Sequence, residues 1–86
     1  MMNKVLIRLY IPMLDNSYDV FIPVNELVWK VNKLLVKSVS DLTDAELPLN
    51  KNYVLVNIES GRIYNSNEIV INTDIRNSTK LALIEL

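Results

Sequence analysis

The sequence contains neither cysteine nor histidine. Without cysteine there are no disulfides, no thiolate metal sites and no cysteine nucleophile. Without histidine the commonest general base, the commonest zinc ligand and every histidine-based triad are gone. A single glycine, Gly61, leaves no material for a glycine-rich phosphate loop. Charge of one sign is also lacking: nine Lys plus Arg stand against ten Asp plus Glu, a formal net charge of −1, with no long run of either. Nucleic-acid binding therefore has no electrostatic support. Nor is there an uninterrupted apolar run of about 18 residues, the signature of a membrane-spanning helix. The opening MMNKVLIRLYIPMLDN could be mistaken for a secretory signal. Arg8 interrupts its apolar stretch after Val5, Leu6 and Ile7, however, and no small-residue cleavage site follows. These absences predict a cytoplasmic chain without direct membrane insertion, metal, cofactor or nucleic-acid partner.

What is present is apolar: half of the 86 residues. That is rich for so short a chain and predicts a packed core in one domain spanning residues 1–86, near the lower size at which a domain folds unaided. KVLIRLYI (4–11) alternates as a strand does, with Val5, Ile7, Leu9 and Ile11 on one face and Leu6, Arg8 and Tyr10 on the other. PMLDNS (12–17) has turn chemistry, and YDVFI (18–22) reads as a second strand with Tyr18, Val20 and Ile22 together, so the pair is an antiparallel hairpin.

Pro23 closes that strand, and a helix over roughly 25–38 follows. Asn25 suits its N-cap, and Val24 and Trp29 fall at the positions of a hydrophobic staple. Leu27, Val28, Val31, Leu34, Leu35 and Val39 recur on one side, with Lys30, Lys33 and Lys37 on the wet side. The stretch 38–52 is polar. Thr43-Asp44-Ala45-Glu46 fits a capping box there, and Leu47 and Leu49 flank Pro48 to tack the connection onto the core. YVLVNI (53–58) is a third strand, ESGR (59–62) its turn, RIYN (62–65) a short return, EIVIN (68–72) a strand fragment or packed connection, and KLALIEL (80–86) the last strand.

One amphipathic helix covers one face of one small sheet, which is an α+β two-layer design. The last strand cannot pair only with its sequence neighbours without isolating the first hairpin. The economical arrangement sets it between the two hairpins, beside strand one. That is a β-grasp: a mixed sheet of four to five strands with one helix packed on one face.

Those stretches resemble a family. IRNSTKLALIEL (75–86) looks like the end of ubiquitin-like domains, where an isoleucine, a tight polar turn and an alternating leucine strand follow one another. With the Val5–Ile22 hairpin and the PVNELVWKVNKLL helix, the similarity covers most of the chain outside about 38–52. Length, composition and the YVLVNIESGRIY hairpin resemble more narrowly the YukD/EsaB group of small bacterial ubiquitin-like proteins. That group accompanies type VII (ESX/WXG100) secretion systems of Gram-positive bacteria. The resemblance implies a cytosolic accessory or regulatory component whose partner is a protein, a type VII secretion component or a second copy of the chain. Two departures matter. The sequence ends Leu83-Ile84-Glu85-Leu86 without the paired glycines of conjugated relatives, so conjugation and sulfur carriage are not expected. The turn at Asp74–Thr79 lacks the glycine that many relatives carry.

No residue set reads as catalytic. Asp41, Asp44 and Glu46 cluster as a weak calcium site would, but without the ligand spacing and glycine of an EF-hand loop, so a solvated loop is the plainer reading. What remains is surface. With Val5, Ile7, Leu9, Val20, Ile22, Val54, Val56, Leu81 and Leu83 in the core, the open sheet face carries Leu6, Arg8, Tyr10, Phe21, Tyr53, Leu55, Ala82 and Ile84. Strand alternation normally leaves such a face polar. Leu6, Arg8, Tyr10, Tyr53, Leu55, Ala82 and Ile84 are therefore the expected partner-binding residues, on a patch that could reach the roughly 300–600 Å² typical of interfaces. A one-residue shift of strand three would exchange Tyr53 and Leu55 for Val54 and Val56. Trp29 and Val36 make a second apolar pair off the core stripe of the helix, with the staple and the cover of the 38–52 connection as their structural reading. Against the interaction module stand two alternatives: a ubiquitin-like carrier modified at its C-terminus, and a structural subunit of a larger assembly.

Overall fold

A computed structural model describes residues 3–43, 47, 48 and 51–86. Strand β1 (Lys4–Ile11) pairs antiparallel with β2 (Asn16–Pro23) along its whole length, from Lys4 opposite Pro23 to Ile11 opposite Asn16. The turn between them is one 3₁₀ turn over Pro12–Leu14, entered by proline and closed by Asp15 in the left-handed region at φ 47°. Proline fixes φ where the turn needs it, and aspartate is among the few non-glycine residues that tolerate positive φ.

Helix α1 spans Val28–Thr43, starting later and ending later than the sequence predicts. Asn25 is exposed and lies three residues before the helix, so it is not the cap. The first free amides are satisfied by distant backbone instead: Val28 N–H donates to the carbonyl of Glu68 at 2.9 Å, and Trp29 N–H to that of Ser66 at 3.1 Å. Leu27 bridges Ile69, Val70 N–H donates to the Glu26 carbonyl and Ile71 N–H to that of Val24. Residues 66–71 thus bind the helix start, and the EIVIN stretch is a packed connection ending in a 3₁₀ turn, Val70–Asn72. Thr43 is the last residue of α1; the rest of the expected capping box, Asp44, Ala45 and Glu46, lies outside the described residues, as does Leu49. Leu47 is buried in the core, as its apolar character predicts.

Strand β3 (Tyr53–Asn57) pairs antiparallel with β4 (Lys80–Glu85), and β4 pairs parallel with β1 through Arg8–Lys80, Leu9–Leu81 and Tyr10–Ala82. The sheet is mixed, with order β2-β1-β4-β3, so IRNSTKLALIEL supplies a central strand as expected. The RIYN return is a single bridge, Ile63 to Val56, not a fifth strand.

The core lies between this sheet and α1. Ile7, Leu9, Ile11, Ile22, Leu81 and Leu83 face Val28, Val31, Leu35 and Val39, all buried. Each such side chain contributes about 1.5–3 kcal/mol through burial. Val28, Val31, Leu35 and Val39 are buried as the spacing predicts, while Val36 joins the core and Leu34 is exposed, so the stripe differs at those two positions. Among the described residues no helix is long and apolar enough to cross a membrane.

Candidate partner-binding face

The sheet face away from α1 is built by alternation. With Ile7, Leu9 and Ile11 turned into the core, Leu6, Arg8 and Tyr10 must point out. Arg8 lies opposite Asp19 and forms an exposed ion pair with it at 3.7 Å, while Leu6 lies opposite Phe21. In β4, Ala82 and Ile84 share this face, the first almost covered and the second 38% exposed.

Strand β3 requires a correction. Leu55 is fully buried in the core, and Tyr53 packs against that core, so neither belongs to the open face. Val54 lies opposite Ile84 and Val56 opposite Ala82, which turns both valines outward. The reason lies in Asn57. It shares the inward face of β3, yet every strong polar group on it is used. Its Oδ1 accepts from the amides of Glu59 and Ser60 at 2.9 and 3.1 Å, and its Nδ2 donates to the Tyr64 hydroxyl at 3.1 Å. A buried amide so satisfied costs little, and it holds the turn that Gly61 closes at φ 75°. The open face therefore gains Val54 and Val56, and at its margin Ile58, whose amide donates to the Lys80 carbonyl. Ile63, bridged to Val56 and 65% exposed, extends it by one more position.

The result is a row across the sheet, Tyr10, Ala82, Val56 and Ile63, with Val54 and Ile84 beside it. Leu6 and Phe21 form a smaller apolar spot beyond the charged row of Asp19, Arg8 and Lys80. The Tyr10 hydroxyl donates to Asp15 Oδ1 at 2.9 Å, and this hydrogen bond, with minor help from desolvation and the carboxylate charge, raises the phenol above its ordinary pKa. Tyr10 is therefore a neutral, oriented phenol, suited to contact rather than to proton transfer at neutral pH. Tyr53 is raised as well, chiefly by burial and then by the charge of Glu85, and its hydroxyl donates to the Pro48 carbonyl at 2.6 Å.

Trp29 is half-exposed on the opposite side of the molecule, with the Lys30 and Lys33 ammonium groups 5.5 and 5.3 Å from its ring centroid. Among the described residues no three acidic side chains gather as metal ligands; Asp44 and Glu46 of the calcium reading lie outside them.

No protein-family model and no curated protein matches the chain. Solved structures do. A ubiquitin-like domain of EccD5 from Mycobacterium xenopi superposes with a TM-score of 0.71 at 13% identity, covering 99% of this chain and 97% of that one. A chain of the MycP5-free ESX-5 inner membrane complex gives 0.71 at 12% identity over 99% of this chain, which spans only 21% of that larger one. A chain of the toluene 4-monooxygenase HD complex gives 0.77 at 6% identity over 96% of this chain and 99% of that one. One fold in such different settings means that function must be argued from the surface. The fold itself is plain: a four-stranded mixed sheet with one helix, the β-grasp of ubiquitin-like domains.

Proposed function

We propose that the chain is a single ubiquitin-like domain, residues 1–86, that works by binding another protein through its open sheet face, without catalysis and without being conjugated. The observation that carries this reading is the apolar row of Tyr10, Ala82, Val56 and Ile63 flanked by Val54 and Ile84 on the sheet face away from α1, where Ile63 and Ile84 are exposed. Antiparallel sheet faces left to water normally carry polar residues at such positions, and tyrosine and arginine, here Tyr10 and Arg8, are favoured at interface hot spots. Of the residues singled out from sequence, Leu6, Arg8, Tyr10, Ala82 and Ile84 stay in the proposal; Val54, Val56 and Ile63 take the places of Tyr53 and Leu55.

The partner in this reading is a component of a Gram-positive type VII secretion system, and the chain its cytosolic accessory, in the manner of the YukD/EsaB group. The likeness to the EccD5 ubiquitin-like domain and to a chain of the ESX-5 inner membrane complex supports it. Affinity capture of the tagged chain from gently solubilised cells, beside Ile84→Glu and Val56→Glu variants of unchanged circular dichroism, tests it. Recovery of a secretion component by wild type and its loss from both variants is expected. Equal recovery by wild type and folded variants would remove this face from the reading. Recovery of the chain alone would make the face a homodimer seam.

A further inference from the structure

A groove of about 670 Å³ runs on the other side of the molecule, between α1 and the outer edge of β3. Trp29, Asn32, Lys33 and Lys37 line it from the helix, Tyr53 and Val54 from the strand, and Lys51 and Leu86 from the segments beside them. Strand β3 is the last in the sheet. Leu86 N–H donates to the Asn52 carbonyl, so the alternation of the antiparallel ladder turns the N–H and C=O of Tyr53 and Leu55 away from β4. The Leu55 carbonyl is taken by Tyr64 N–H at 3.0 Å. Past Tyr64 the chain leaves the strand for the helix start, and Tyr53 has no strand neighbour on its outer side among the described residues.

Two independent features say what this groove is suited to hold. The first is charge. Among the described residues three lysines line it and no carboxylate side chain does; the nearest described acid along the strands is Glu85, opposite Tyr53. The second is Asn32. It is 7% exposed, its Nδ2 donates to the Tyr53 carbonyl at 3.2 Å, and its Oδ1 is a buried acceptor with no partner among the described residues. Buried polar atoms are satisfied in the great majority of cases, so an orphan acceptor in a groove wall points to a missing donor. Oδ1 is enclosed in the groove wall, so a donor on a ligand reaches it by a turn of the asparagine about its last torsion, which is broad. From Trp29 to Lys37 the helix rises about 12 Å, which is about four residues of extended chain.

We propose that this groove is a second docking site, which takes an extended acidic segment of a protein partner. Its carboxylates lie against Lys33, Lys37 and Lys51, and one of its amide N–H groups donates to Asn32 Oδ1. Extended segments laid along a sheet edge are bound in this manner elsewhere, with main-chain bonds giving affinity and side chains giving choice. The site lies on the helix side of β3 and meets the open sheet face at one shared residue, Val54; Ile84 and Val56 of that face do not line it.

Trp29 is the only tryptophan in the chain, so its emission reports on the groove directly. The test titrates the full chain, at low salt, with an octapeptide of alternating Glu and Val and with its Lys–Val counterpart. The expected result is a saturable change in Trp29 emission with the acidic peptide only. The Lys33→Glu/Lys37→Glu double variant and, separately, Lys51→Glu should weaken it at least about tenfold, as charge reversal at a complementary contact does. Ile84→Glu should leave it unchanged, which keeps failure here distinct from failure of the open-face reading. Equal binding of both peptides, insensitivity to both lysine variants, or binding of a single-stranded oligonucleotide as tight as that of the acidic peptide would overturn the proposal. So would the absence of saturation up to millimolar peptide.

Discussion

The Tyr64 hydroxyl donates to Asp74 Oδ1 at 2.5 Å from a ring that is almost wholly buried. The same hydroxyl accepts from Asn57 Nδ2, and the Arg62 guanidinium lies 4.9 Å from the ring centroid while pairing with Asp74 at 3.5 Å and with Glu68 at 2.6 Å. Three segments meet at one phenol: the end of β3, the return after Gly61 and the connection into β4. Replacing Tyr64 by Phe keeps the packing and leaves Asn57 Nδ2 buried without an acceptor. A loss of about 1–3 kcal/mol is expected from that orphaned donor, read as a lower urea midpoint at unchanged slope. A loss under about 0.5 kcal/mol would mean that the hydroxyl does not hold the three segments together.

The same tyrosine sets a pH dependence. Burial raises its pKa most and the bond to Asp74 next, while the Asn57 bond and the charge of Arg62 pull the other way. A folded-state pKa above the unfolded value of about 10 means that the native state holds this proton longer than the unfolded one. The resulting stability is fully present below about pH 10 and is lost as pH rises through the folded pKa. Tm measured from pH 8 to 11 should fall more steeply for wild type than for Tyr64→Phe. Parallel curves would assign the alkaline loss to other groups.

The inward turn of Leu55 and outward turn of Val56 give opposite expectations for adjacent residues. Leu55→Ala opens a cavity under β3 and should lose about 2–5 kcal/mol. Val56→Thr exchanges a methyl for a hydroxyl on the open face and should stay within about 1 kcal/mol. Tyr53→Glu would place a carboxylate between α1 and β3, so it should reduce stability rather than probe the open face. Denaturation of the three variants checks the register, and a tolerant Leu55→Ala with a severe Val56→Thr would reverse it.

How far the sequence disclosed all this depends on where its polar residues fall. In β1 and β2, Arg8 and Asp19 mark the outward face, and the opposite alternation is uniformly apolar, so Ile7, Leu9, Ile11 and Ile22 were legible as core and Leu6, Arg8 and Tyr10 as surface. In YVLVNI both alternations are apolar apart from Asn57, and period two alone offers two choices. Counting apolar residues favours Val54, Val56 and Ile58 as core. The decisive signal is of another kind: an asparagine followed by Glu59, Ser60 and Gly61 can fold its side chain back onto the amides of the turn, which lets it sit inside. The helix start departs from its local signals for a different reason. Asn25 is a sound cap by local preference, but the carbonyls of Ser66 and Glu68 reach the helix from some forty residues away, and no local pattern announces them. Trp29 and Val36 stand out in the sequence as an apolar pair, but Val36 is buried in the core, and the groove beside Trp29 takes its character from lysines that no apolar pattern singles out.

The turn before β4 carries the last prediction. It holds Ser78 at φ 72°, with its amide donating to the Leu6 carbonyl at 2.8 Å. A side chain in the left-handed region costs about 1–2 kcal/mol through the clash of Cβ with the following carbonyl. Glycine removes that clash but gives the unfolded chain more freedom, which offsets roughly 0.5–1 kcal/mol of the gain. Ser78 is exposed, so no packing is lost. Ser78→Gly should therefore raise stability by about 0.5 kcal/mol, or about 2–4 °C in Tm for a domain of this size. The mirror experiment is Gly61→Ala. Gly61 has φ 75° with no atom within 4 Å of an added Cβ, so the expected loss of about 1 kcal/mol is purely conformational. A gain at Ser78 together with a loss at Gly61 would tie both to backbone sign alone. A loss at Ser78 would show that the serine side chain stabilises the turn by more than its strain.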